Sequence, residues 1–153
     1  MNTRTLALGL VAAVAVSFAA FAEGELVPLS QEAYLALPKS GAQAPFVLDV
    51  RTPEEFVTGH VPGAVNIPYD QVAARLAEVP KDKDVVLYCR SGRRAGMAAE
   101  VLAANGYTRL KHLEGDVAAW IEKGRPVETP INAAACVTAL KEGKVQAEAC
   151  QPN

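Results

Sequence analysis

The stretch from Val85 to Arg94 and the helix-forming run behind it constrain this chain more than any other feature. Val85, Val86, Leu87 and Tyr88 form an unbroken apolar, β-rich run, the pattern of a strand buried on both faces. Cys89 follows at once, then Arg90, Ser91, Gly92, Arg93 and Arg94. An alanine-rich stretch of helical composition opens directly behind, expected from about Arg93 to Asn105 with Gly106 at its C′ position. A thiol is therefore expected where a strand ends and a helix begins, in a short loop with guanidinium groups at Arg90, Arg93 and Arg94. Helix N-termini offer unpaired N–H groups and positive partial charge. That field, with the arginines, favours a thiolate and an incoming anion. A cysteine at a strand end is ordinarily a small buried hydrophobe. A purely structural loop has no use for so many arginines beside it, so the loop as a unit points to function.

The same alternation runs through residues 29–126. Ser30 suits the N-cap of a helix over Gln31–Leu37 that Pro38 ends. Phe46–Val50 reads as a buried strand, and Thr52-Pro53-Glu54-Glu55 as a capping box opening a brief helix stopped by Gly59. Pro62-Gly63 marks a turn before a short strand at Ala64–Ile67. Asp70 caps an expected helix over Gln71–Glu78 with Val72, Leu76 and Val79 on one face. After the central strand and its helix come a last strand at Tyr107–Leu113 and a helix at Val117–Lys123. Strands alternating with helices predict an α/β domain with a mostly parallel central sheet and helices on both faces. Ligands in such folds gather at the carboxyl ends of strands, where Cys89 falls.

The ends of the chain read differently. Arg4 is followed by the apolar run Leu6–Ala20 and then Ala20-Phe21-Ala22, the order of a cleavable export signal over residues 1–22. An uncleaved anchor is the alternative, since Leu6–Ala22 approaches the lower limit of about 17 residues for a membrane span. Cleavage places the protein in the periplasm or outside the cell, with no stable membrane association afterwards. The remainder divides into a catalytic-sized domain, residues 23–130, and an alanine-rich tail, residues 131–153. In the tail, Asn132–Leu140 and Val145–Cys150 are expected as two helical pieces turning at Gly143. Three cysteines in an exported chain suggest one pair and one free thiol. Cys136–Cys150 is the expected disulfide and Cys89 the free thiol, with other pairings left open. A formal net charge of −2 gives no electrostatic case for nucleic acid. Two scattered histidines and three spread cysteines make no zinc site, and no dinucleotide loop is present, so neither metal nor cofactor is expected.

Four segments together carry a family likeness. They are Asp49-Val50-Arg51; Gly59-His60-Val61-Pro62-Gly63-Ala64-Val65-Asn66-Ile67-Pro68; the loop Cys89–Arg94; and Leu113-Glu114-Gly115 followed by Trp120. In order and spacing they resemble the rhodanese family of sulfurtransferases, and they span nearly the whole expected domain. One departure stands out: many members have a second glycine after Glu-Gly, where this chain has Asp116. The resemblance implies that Cys89 attacks the sulfane sulfur of a small donor such as thiosulfate, becomes a persulfide, and yields that sulfur to cyanide, a thiol or a protein acceptor. It also implies that backbone N–H groups from Arg90 to Arg94, Ser91 and Gly92 included, cradle the sulfur. Arg90, Arg93 and Arg94 would hold the donor's oxyanion end. Asp49 and Arg51 are expected to support the loop, with Arg51 pairing to Glu55 or Glu54. His60, in a turn, is expected to be structural, and His112 has no evident partner.

Rival chemistries fit less well. Cysteine phosphatases, as their families show it, place five residues between Cys and Arg, whereas Arg94 leaves four and that spacing falls on Ala95. A thiol–disulfide oxidoreductase would ordinarily show C-x-x-C, which is absent. A non-catalytic binding or sulfur-carrier module remains open beside these, though the intact cysteine argues against mere binding.

Overall fold

The computed structural model describes residues 25–130 and 132–145. The expected export signal, Cys150 of the expected disulfide and most of the expected second tail helix lie outside the described residues. No described helix is long and apolar enough to cross a membrane.

Five parallel strands form the centre: β1 (Leu26–Leu29), β2 (Phe46–Asp49), β3 (Val65–Asn66), β4 (Val85–Tyr88) and β5 (Leu110–Leu113). They lie in the order β1-β5-β4-β2-β3, so β4 is flanked on both sides. Its residues are all buried, as a continuous apolar run requires. Alternate side chains go to opposite faces. Val85, Leu87 and Cys89 join the core under α3 (Arg93–Ala104), while Val86 and Tyr88 join the core with Phe56 and Trp120. That second layer contains α1 (Gln31–Ala36), α2 (Pro53–Val57) and α4 (Asp116–Glu122). In the tail, α5 (Ala133–Lys141) lays Cys136, Val137 and Leu140 against it.

Three expectations are corrected. The helix expected over Gln71–Glu78 is instead two 3₁₀ turns, Val72–Ala74 and Leu76–Glu78, meeting at Arg75. Only Val72 is buried along the two turns, so the apolar face is too thin to hold a continuous α-helix. The chain also begins its sheet earlier than expected: Leu26–Leu29 pairs in register with Leu110–Leu113 as an edge strand. Pro28 and the half-exposed Val27 mask it as a strand, a composition that edges tolerate. The last strand starts at Leu110 rather than Tyr107, because the Tyr107 hydroxyl is committed to the carbonyls of Leu76 and Val79.

Candidate active site

The carboxyl ends of β2, β4 and β5 deliver Asp49, Cys89 and the Glu114-Gly115-Asp116 turn to one edge of the sheet. Cys89 is buried and is a free thiol. The Gly92 N–H points back at its Sγ, 3.1 Å away. Gly92 makes this possible with a left-handed φ of 91°, and it caps α3 at the same time. A side chain there is excluded twice, since a Cβ would also lie 3.3 Å from the His112 ring and 3.4 Å from the Asp116 carboxylate. The thiol thus sits at the N-terminus of a twelve-residue helix with an amide aimed at the sulfur.

The loop's arginines separate by environment. Arg90 and Arg93 are exposed, as is Ser91. Arg94 is 23% exposed and forks onto Glu55, with Nη1–Oε2 2.5 Å and Nη2–Oε1 2.8 Å. It is also close enough to Cys89 to interact with the thiol electrostatically. Glu55 is the residue that closes the capping box of α2, accepting from the Thr52 N–H at 3.1 Å. One carboxylate therefore caps α2 and holds a guanidinium beside the thiol. Arg94 pulls the Glu55 carboxyl down to about 2 against the opposing effect of its partial burial.

Arg51 does not pair with Glu54 or Glu55. It folds back on Asp49, Nη2–Oδ2 2.6 Å and Nε–Oδ1 3.0 Å, and donates to the Gly59 carbonyl at 2.8 Å. Both partners are sealed from solvent, and Asn66 ties the corner by donating to the carbonyls of Asp49 and Arg51 at 2.9 Å each. A carboxylate this deep needs a guanidinium, and Arg51, two residues on, supplies it. Tyr88 lies beneath, its oxygen accepting from the Val61 N–H at 3.1 Å, and burial raises its pKa.

His60 stacks on Phe56 at a centroid distance of 3.6 Å, its Nδ1 3.0 Å from the Phe56 carbonyl. Burial lowers its pKa, which suits a neutral ring locked into a turn.

Two residues assigned little by sequence are prominent in space. Asp116, at the family's second glycine, has a left-handed φ of 53° and is buried. Its Oδ1 accepts from the Cys89 N–H at 2.7 Å, and its Oδ2 lies 3.1 Å from His112 Nε2. The signal for Asp116 was its departure from the family pattern; the four-residue spacing to His112 was the signal for the pair. Gly115 turns the chain into α4 with φ 75°, where a Cβ would lie only 2.5 Å from that of Ala119. Separately, a groove of about 430 Å³ lined by Tyr34, Val47, Pro62 and Trp120 opens near the amino ends of β2 and β3. The Cys89 loop does not line it.

Comparison with known proteins gives a consistent result. Residues 30–123 match the Rhodanese-like domain. A protein of Allochromatium vinosum named Sulfurtransferase is 42% identical over 84 residues, covering 55% of this chain and 78% of that protein. Thiosulfate sulfurtransferase PspE of Escherichia coli is 43% identical over 70 residues, covering 44% of this chain and 67% of that protein. Among solved structures, a rhodanese-like domain protein from Staphylococcus aureus superposes with TM-score 0.56 at 28% identity, covering 68% of this chain and 98% of that one.

Proposed function

Because this chain belongs to the rhodanese-like domain family, we propose that it is a sulfurtransferase acting through a persulfide on Cys89. The observation that carries the reading is the Gly92 N–H aimed at the Cys89 sulfur at the head of α3. That geometry stabilises a negative sulfur both as thiolate and as persulfide. The sulfurtransferase names of two relatives support the class.

In the first half-reaction the Cys89 thiolate attacks the outer sulfur of thiosulfate. The S–S bond of the donor breaks and sulfite leaves with the bonding pair. Arg94, held over the thiol by Glu55, offsets the donor's charge, and Arg90 and Arg93 meet it from the exposed side of the loop. In the second half-reaction cyanide or a thiol attacks the terminal sulfur of the persulfide and returns Cys89 to thiolate. One transfer is split into two easier displacements, a ping-pong scheme. Asp49 and Arg51 support the strand end that faces the loop. No cofactor or metal enters the scheme.

The export signal at residues 1–22 makes the periplasm or the cell exterior the place of action, and a Cys136–Cys150 bond would clasp the tail there. The test is thiocyanate production from thiosulfate and cyanide, with an intact mass after thiosulfate alone, for the protein and Cys89→Ser. Turnover with a sulfur-sized mass gain, both lost in Cys89→Ser, is the expected result. Mass gain without turnover would make the protein a sulfur carrier awaiting a partner. Activity retained in Cys89→Ser would sink the mechanism.

A further inference from the structure

The Cys89 amide is held by a carboxylate that is itself held by an ionisable ring. Asp116 Oδ1 accepts from the Cys89 N–H at 2.7 Å, and the same carboxylate's Oδ2 meets His112 Nε2 at 3.1 Å. Asp116 is 4% exposed and His112 26%, so solvent reaches the ring but not the carboxylate. The His112 ring also lies beside Gly92, the residue whose N–H points at the sulfur. Ring, carboxylate, nucleophile amide and sulfur-facing amide therefore form one contiguous cluster.

The residues around His112 leave it few other influences. In the sheet it is flanked by Leu87 of β4 and Pro28 of β1, neither of them charged. The acidic groups that act on it are Asp116, from α4, and Glu114, from the preceding turn. On the β4 side it faces the Cys89 loop. The hydrogen bond that the ring makes to Asp116 is the largest influence and raises the His112 pKa, burial opposing it.

We infer that Asp116 and His112 form a proton-sensitive positioning couple for the nucleophile, in which the protonation of His112 sets how much negative charge Asp116 presents to the Cys89 loop. With His112 protonated, the carboxylate is neutralised on its outer oxygen while the inner one still holds the Cys89 amide. With His112 neutral, an uncompensated carboxylate faces the site where sulfur and an anionic donor must both carry negative charge. Donor binding is then weaker. A glycine at position 116 would remove both the acceptor of the Cys89 N–H and the carboxylate that His112 meets. The functional consequence rests on Cys89 being the sulfur acceptor; the coupling itself does not.

The test is an NMR titration of the Cys89 amide and the His112 ring, beside the pH dependence of thiosulfate KM. In the wild type the Cys89 amide resonance should move with the His112 titration, above the ordinary histidine value. KM for thiosulfate should rise roughly 3–10-fold across the same pH interval, the scale of one charge about 4 Å away at a water-like dielectric, as the solvent-reached ring allows. His112→Gln should abolish both steps. Asp116→Asn supplies a second variant, because Asn accepts the left-handed backbone and can still receive the Cys89 N–H. It should keep the fold and lose the pH step as well. A Cys89 amide that ignores the His112 titration, or a KM step that survives unchanged in His112→Gln, would overturn the inference. An amide that follows His112 in a protein that takes no sulfur from thiosulfate would support the coupling while sinking the sulfur-transfer reading.

Discussion

Two Arg–carboxylate pairs, one just before α2 in the chain and one reaching into it, teach different lessons. Arg51 and Asp49 are 5% and 0% exposed, whereas Arg94 and Glu55 are 23% and 32% exposed. Both are forks, and both use one residue from a strand end or loop. In the sealed pair the Asp49 carboxylate takes both the Arg51 backbone N–H and its guanidinium, and that guanidinium also donates to the Gly59 carbonyl, away from solvent. The open pair keeps one side of the guanidinium towards the thiol and solvent. Burial, not charge, separates an arginine that holds the fold from one that can meet a ligand.

The comparison can be broken by mutation. Asp49→Ala leaves a buried guanidinium without its partner and is expected to cost about 3–5 kcal/mol, read by chemical denaturation. A loss no larger than that of a surface pair would erase the distinction. Arg94→Ala is expected to lower the denaturation midpoint by less than Asp49→Ala does, because its pair is partly exposed, while raising thiosulfate KM about tenfold, the scale of one charged hydrogen bond. Equal KM values would remove Arg94 from the donor site.

Acid sharpens the contrast further. Glu55 has its carboxyl lowered to about 2 from an ordinary value of 4.5, so it contributes stability that is present above about 4.5 and is lost as pH falls towards 2. Glu55→Gln should therefore flatten the acid limb of the stability curve between those values. An unchanged limb would mean that the open pair adds nothing to folding. The smallest effect is expected from Arg90→Ala and Arg93→Ala, each about twofold in KM because their side chains are exposed to solvent. A tenfold effect from either would place the donor on the outer side of the loop.

Most of the architecture was legible in residue patterns that act locally. The apolar run of β4, the capping box of α2 and the glycine behind α3 each carry their own instruction, and each element forms where that instruction lies. The edge strand β1 was not legible, because four residues including a proline draw their strand character from pairing with β5. The 3₁₀ turns were misread for the same kind of reason: helical spacing was present, but the packing surface was not.

At the site, the loop was readable as a unit while its partners were not. That Glu55 serves both Thr52 and Arg94 depends on where β4 and α2 meet, which no spacing in the chain encodes. Likewise Arg51 had acidic candidates on both sides, and only burial selected Asp49. His112 has no evident partner in the sequence because the Asp116 side chain meets the ring, and the nucleophile's own backbone, only once the Gly115 turn is folded.

The left-handed backbone at Asp116 also bears on what the lineage of this chain can explore. Only glycine, asparagine and aspartate take up that conformation readily. In the genetic code glycine and aspartate, and aspartate and asparagine, are joined by single base changes. Position 116 is thus a narrow corridor with three stations: no side chain, a neutral acceptor, or a charged one. A population can walk along it one nucleotide at a time without disturbing the turn, retuning the surroundings of the thiol while the rest of the domain stays as it is.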